Sequence, residues 1–152
     1  MEIVAMVPTY NEAGNISALI TELCSLPLDL HVLVVDDNSP DGTGKIVGDI
    51  EKTNNRVHLL NRTERRGRGW AGIDGFKTAL EMGAKYVVEM DGDMSHAPKY
   101  IFAMREALNA PGFDVAIGSR YVQGGRDEQH VFGRDTDGPA GLYRQQLRHC
   151  GF

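Results

Sequence analysis

Short β-branched runs alternate with stretches of helical period along most of this chain, and that alternation constrains the fold more than any other feature. Residues 3–7, 31–35, 57–61, 86–90 and 115–117 read as strands. Between them, Ile16, Leu19, Ile20 and Leu23 fall at i, i+3, i+4 and i+7, and Ile46, Val47 and Ile50 mark a shorter second helix. Trp70, Ile73, Ala79 and Leu80 suggest a third helix, and Ile101, Met104 and Leu108 a fourth. The strands are near-continuously apolar, as in a sheet covered by helices on both faces. Five such strands and four helices predict an α/β fold, with a Rossmann-like, mostly parallel sheet and helices on both of its faces.

The alternation fades towards the end. Residues 123–152 hold six glycines and four arginines, and Val131, Leu142 and Leu147 are the only branched aliphatics there. The expectation is a packed domain over 1–122 and a loop-rich extension over 123–152, with a short helix near Leu142 to Leu147. At 152 residues, one domain suits the length. The net charge of −5 argues against nucleic acid as a partner, since neutralising phosphates calls for a basic surplus. Cys24 and Cys150 lie too far apart to suggest a disulfide framework or a metal spacing, so a reducing compartment is expected. The chain opens directly into a strand-like run without a leader-like segment, and no apolar run approaches the ~20 residues of a membrane span. The expected location is cytoplasmic, at most peripheral at the cytoplasmic face of a membrane.

In an open parallel sheet, ligands bind beyond the carboxyl ends of the strands, and the polar signatures fall there. The first strand runs into Pro8, Thr9, Tyr10, Asn11 and Glu12, and the second into Asp36, Asp37, Asn38, Ser39, Pro40, Asp41 and Gly42. The fourth ends in Asp91-Gly92-Asp93 and the fifth in Gly118-Ser119-Arg120. If the fourth strand continues through them, Asp91 and Asp93 share a face about 6–7 Å apart. At an effective dielectric near 20, their charges repel by roughly 2–3 kcal/mol. A divalent cation would remove that cost, and Mg²⁺ or Mn²⁺ favours carboxylate oxygens completed by water and phosphate. The bland alternative is a solvated turn or a cap on the helix near Pro98.

Other motifs weigh less. The run from Gly67 to Gly72 matches G-x-G-x-x-G, but it follows the third strand, whereas the dinucleotide fingerprint belongs after the first. Its glycines open a helix that can approach a phosphate, with Arg65, Arg66 or Arg68 adding charge. His96 reads as a surface histidine. No G-x-S-x-G signature occurs, which disfavours a serine hydrolase.

Five segments in this order, VPTYNEAGNI, VVDDNSPDGTG, GRGWAGIDGF, EMDGDMSHAP and GSRYVQGG, resemble a family-2 glycosyltransferase of the GT-A fold. More narrowly, they resemble the polyprenol-phosphate (dolichol-phosphate) mannosyltransferases, over roughly residues 2–125. The resemblance implies an inverting transfer of mannose from GDP-mannose to a polyprenyl or dolichyl phosphate. Pro8, Tyr10 and Glu12, with Asp36 or Asp37, would hold the nucleoside of the sugar nucleotide. Asp91 and Asp93 would bind Mg²⁺ or Mn²⁺ on its diphosphate, Ser95 occupies a further metal-ligand position, and Asp93 counts with the catalytic residues. Arg120 would grip the acceptor phosphate, and Arg134 is the best match to a second arginine of that family.

After Gly125 the apolar pattern of the family is missing, so the chain resembles a truncated or divergent member with only part of the acceptor region. Other expectations therefore stand beside transfer. One is a nucleotide-sugar-binding domain without turnover, or one completed by a partner subunit. Another is a family-2 transferase using a different donor, such as UDP-glucose. A sugar-1-phosphate nucleotidyltransferase would need a glycine-rich loop where Pro8-Thr9-Tyr10 stands.

Overall fold

The computed structural model describes residues 1–119 and the backbone of 141–145. The chain forms two compact units, Met1–Pro98 and Lys99–Phe152.

In the first unit, β1 (Ile3–Thr9), β2 (Leu30–Asp36), β3 (Val57–Asn61) and β4 (Tyr86–Glu89) form one parallel sheet in the order β3-β2-β1-β4. Register runs Ile3↔Leu30 through Thr9↔Asp36 between β1 and β2, and Ile3↔Tyr86 through Met6↔Glu89 between β1 and β4. With partners on both sides, β1 is buried along nearly its whole length, which is why its sequence shows no polar alternation. The connections are α1 (Ile16–Ser25), α2 (Thr43–Glu51) and α3 (Arg68–Glu81).

Four of the five expected strands thus form the parallel sheet. The fifth, β5 (Val115–Ser119), lies in the second unit with α4 (Ile101–Leu108), and it pairs antiparallel with β6 (Gly141–Gln145). The helix expected near Leu142 to Leu147 is therefore replaced over its first residues by a strand. That window is too short to carry a helical period, and pairing along β5, with Ile117 opposite Tyr143, satisfies its backbone. The expected boundary at 122/123 falls outside the described residues.

The helices use the sheet differently. α1 buries Ile16, Leu19, Ile20 and Leu23, as its period predicts. α3 buries Ala71, Gly72, Gly75 and Ala79 instead, and leaves Trp70, Ile73 and Leu80 exposed. The helix is where its spacing puts it, but three of the four residues that reveal it point away from the sheet. The physical reason is close approach. A Cβ on Gly75 would sit 2.8 Å from Met6 Cγ and 3.0 Å from Val35 Cγ2, so only small residues fit beneath α3. Ala71 and Ala79 join Val4, Met6, Leu33 and Val35 in the cluster on that side.

Candidate functional site

The strand order contains a switch. From β1 the chain steps outward through β2 and β3, then returns to place β4 on the other side of β1. At such a switch point the chain leaves neighbouring strands towards opposite faces, and a crevice opens beyond their carboxyl ends. A cavity of about 240 Å³ lies there, bordered by Pro8, Thr9, Tyr10, Glu12, Asp37, Arg68, Ala71, Asp91, Gly92 and Asp93. Gly92 is what lets the two loops meet, since a Cβ there would lie 3.2 Å from both Glu12 Cγ and Thr9 Cγ2.

The rim is cross-linked by short polar side chains. Asp36 is buried, and its carboxylate accepts from Thr9 Oγ1 at 3.0 Å, Ser39 Oγ at 2.6 Å and Ser39 N at 2.9 Å. Three donors surrounding one carboxylate tie the ends of β1 and β2 together. Ser39 Oγ also accepts from Asn11 N, Asp41 from Ala13 N, and Thr43 Oγ1 from Glu12 N. These bonds run from the loop after β1 to the loop after β2. Hydrogen bonds from Thr43 and from the Ala13 amide hold the exposed Asp41 carboxyl below its ordinary range.

Asp37 does border the cavity, and it is buried against the guanidinium of Arg62 while also accepting from Gly67 N. Arg62 reaches Asp74 through Nε at 2.9 Å and the Arg65 carbonyl at 2.7 Å. One buried cation thus fastens the loop after β3 to the end of β2, and its two carboxylate partners offset the cost of burying it. Arg62 escaped the sequence reading. The available signal is its position, since it directly follows β3 and opens the basic loop that carries Arg65, Arg66 and Arg68.

The Asp91–Asp93 pair sits differently from expectation. β4 ends at Glu89, and the two aspartates occupy the turn that follows, so they do not share a strand face. Sheet pairing stops at Met6↔Glu89, although Met90 N still donates to Met6 O. Asp91 Oδ1 accepts from Arg68 at 2.6 Å, and its amide donates to His96 Nδ1 at 3.1 Å. The other ring nitrogen of His96, Nε2, lies 3.8 Å from Asp91 Oδ2. Asp93 accepts from Ser95 N at 2.9 Å. Hydrogen bonds from the Ser95 side chain, then its amide, hold the Asp93 carboxyl below the usual range, with a smaller contribution from His96. It is therefore ionised near neutral pH.

Tyr10 is exposed beneath Arg66, whose guanidinium lies 5.1 Å from the ring centre. Ser95 is not among the residues that border the cavity, and Arg120 and Arg134 lie outside the described residues.

The four non-glycine residues with left-handed backbone among the described residues are Asn11, Asn38, Arg65 and Met94. One falls in each loop following β1, β2, β3 and β4. Such conformations cost on the order of 1–3 kcal/mol each and persist where surrounding structure over-determines them, typically at binding sites. Here the strain is confined to one rim of the sheet.

The donor set suits a hard divalent cation. Two carboxylates and a serine hydroxyl stand on one turn, and no group of three His, Cys, Asp or Glu side chains forms a cage among the described residues. Carboxylate and hydroxyl oxygens are donors of the kind Mg²⁺ or Mn²⁺ accepts beside phosphates and water.

The chain belongs to glycosyl transferase family 2, whose model matches residues 4–148. Its α/β sheet is that of the GT-A glycosyltransferases, as expected. It is 43% identical over 121 residues to the polyprenol monophosphomannose synthase of Mycolicibacterium smegmatis, covering 79% of this chain and 45% of that protein. It is 40% identical to the undecaprenyl-phosphate mannosyltransferase of Micrococcus luteus, over 83% of this chain and 51% of the relative. The dolichol-phosphate mannosyltransferase of Pyrococcus furiosus is 38% identical, with 88% of this chain and 37% of the relative covered. The chain thus spans about half the length of these relatives or less. Among solved structures, the mannosyltransferase PcManGT from Pyrobaculum calidifontis, in complex with GDP-Man and Mn²⁺, superposes with a TM-score of 0.61 at 30% identity. That match covers 78% of this chain and 36% of the other. No helix among the described residues is long and apolar enough to cross a membrane.

Proposed function

We propose that this chain carries the donor half of a metal-dependent mannosyltransferase that moves mannose from GDP-mannose to a polyprenyl phosphate, with inversion. One observation carries the reading. The Asp91–Asp93 turn and the loop from Pro8 to Glu12 border the same cavity at the switch point, in a chain 43% identical to a polyprenol monophosphomannose synthase.

In this reading Pro8, Tyr10, Glu12 and Asp37 receive the nucleoside, with Asp36 holding the β1 and β2 loops in place beneath them. Asp91, Asp93 and Ser95 hold the Mg²⁺ or Mn²⁺. When bound, that cation neutralises charge on the departing nucleoside diphosphate. Arg68 is the cation already beside Asp91. On donor binding, its guanidinium exchanges the carboxylate for a diphosphate oxygen, a trade between two anionic acceptors of similar geometry. Arg120 and Arg134 take the acceptor phosphate by bidentate contacts that orient it for attack. The acceptor is anionic near neutral pH, with a second pKa of about 6, so no general base is required.

GDP-mannose affinity measured by calorimetry with Mn²⁺ and with chelator tests the donor site. Asp91→Asn combined with Asp93→Asn is expected to lower Mn²⁺-dependent affinity by more than the roughly 10- to 100-fold that loss of a mere supporting contact costs. Unchanged affinity would sink the metal assignment. A second reading is donor binding without turnover. Transfer of labelled mannose into organic-extractable polyprenyl phosphate separates the two, since binding without product selects the second.

A further inference from the structure

We propose that the outward face of α3 docks on an anionic lipid bilayer. Trp70, Ile73, Phe76 and Leu80 are 44%, 46%, 40% and 66% exposed, and they are four of the eight large hydrophobic side chains exposed among the described residues. At 100° per residue they form one stripe roughly 120° wide and ~15 Å long. Gly72, Gly75 and Ala79 occupy the opposite side, so α3 turns its small residues to the sheet and its large ones to the surroundings. An apolar stripe left exposed among the described residues marks an interaction surface.

The surrounding charge decides the occupant. The chain carries −5 overall, yet Arg65, Arg66, Arg68, Lys77 and Lys85 are exposed on or beside this helix, against Glu64 and Glu81 as exposed acids in the same stretch. Arg65 lies 3.7 Å over the Trp70 ring, joining a cation to an aromatic of the type that settles at the headgroup level. A basic border around Trp, Phe, Ile and Leu on a single convex helix matches the composition of helices that lie in the plane of an interface. Each Lys or Arg near an anionic surface adds roughly fivefold to partitioning. Arg68 and Ala71 of the same helix border the cavity of the proposed transfer site, Ala71 from the side that faces the sheet. Docking itself does not rest on that reading.

Trp70 is the chain's only tryptophan, so its emission reports this surface alone. With vesicles of phosphatidylglycerol and phosphatidylcholine in equal parts, the expected result is a blue shift, quenching by brominated acyl chains, and weakening at high salt. Ile73→Ser and Leu80→Ser should each reduce partitioning by about tenfold, the effect of withdrawing one large aliphatic from an apolar phase. Circular dichroism should be unchanged, since both side chains are exposed. Absence of a shift, or an equal shift with pure phosphatidylcholine, overturns the proposal. A concentration-dependent shift without vesicles also overturns it, by assigning the stripe to a second copy of the chain. The measurement uses no sugar nucleotide, so failure of the donor reading and failure of the docking surface remain distinguishable.

Discussion

The two faces of the parallel sheet are covered by opposite strategies. On the side of α1, large aliphatics point inward, and Ile16, Leu19 and Leu23 are fully buried. On the side of α3, the sheet supplies the bulk through Met6, Leu33 and Val35, and the helix supplies glycine and alanine. The α1 face follows the ordinary amphipathic pattern. The α3 face brings a helix backbone close to the strands and frees its large residues for another contact. Both arrangements bury the sheet, but they respond to mutation in different ways.

The largest expected effect comes from a matched pair of substitutions. Leu19→Ala should cost about 2–5 kcal/mol by opening a cavity under α1. Leu80→Ala, the same change on the outer face of α3, should stay within about 0.5 kcal/mol. Urea unfolding of the two variants measures the contrast directly, and equal losses would erase the distinction between the faces. Next in size is Gly75→Ala. Its new methyl would crowd Met6 and Val35, and overpacking of that kind costs about 1–3 kcal/mol. At an ordinary exposed helix position the same change would be stabilising, by about 1 kcal/mol. A stabilised Gly75→Ala variant would therefore show that α3 does not approach the sheet so closely.

The contrast also explains what could be read in advance. The strands of the sheet and all four helices were legible because backbone period is written locally in the spacing of apolar residues. The direction a stripe faces is not written there. Trp70, Ile73 and Leu80 announce a helix, while Gly72 and Gly75, silent in any apolar count, decide which side meets the sheet. The rim shows the same division. Strand-end clusters were visible as residue types, and Asp37, Asp91 and Asp93 do border one cavity. Their partners were not visible, because Arg62 to Asp37 and Thr9 to Asp36 are contacts across 25 and 27 positions that only the topology closes. β6 was missed for a related reason, since a five-residue strand is specified by its partner more than by its own sequence.

The smallest predicted effect sits where the α3 face runs out. His31 shares a face with Leu33 and lies beside His58, with rings stacked 5.3 Å apart and Nδ1 of the first 3.0 Å from Nε2 of the second. One nitrogen must donate and the other accept, so the bond cannot survive protonation of both rings. Burial, and then the charge of His58, hold His31 below its ordinary pKa of 6.5, with Asp29 opposing them. The fold therefore favours neutral His31. The resulting stability is complete above the unfolded value and is lost as pH falls through the lower, folded value. His58→Gln removes the repulsive partner and should raise the His31 pKa towards its ordinary value, flattening that loss. The thermal midpoint of the wild type should then drop further than that of the variant between about pH 7.5 and about pH 5. Solvent screening at this half-buried position keeps the difference below about 1 kcal/mol. Parallel pH profiles for the two proteins would show that the stacked pair carries no charge coupling, and that the open end of the α3 face is as insensitive to protonation as the aliphatic face opposite.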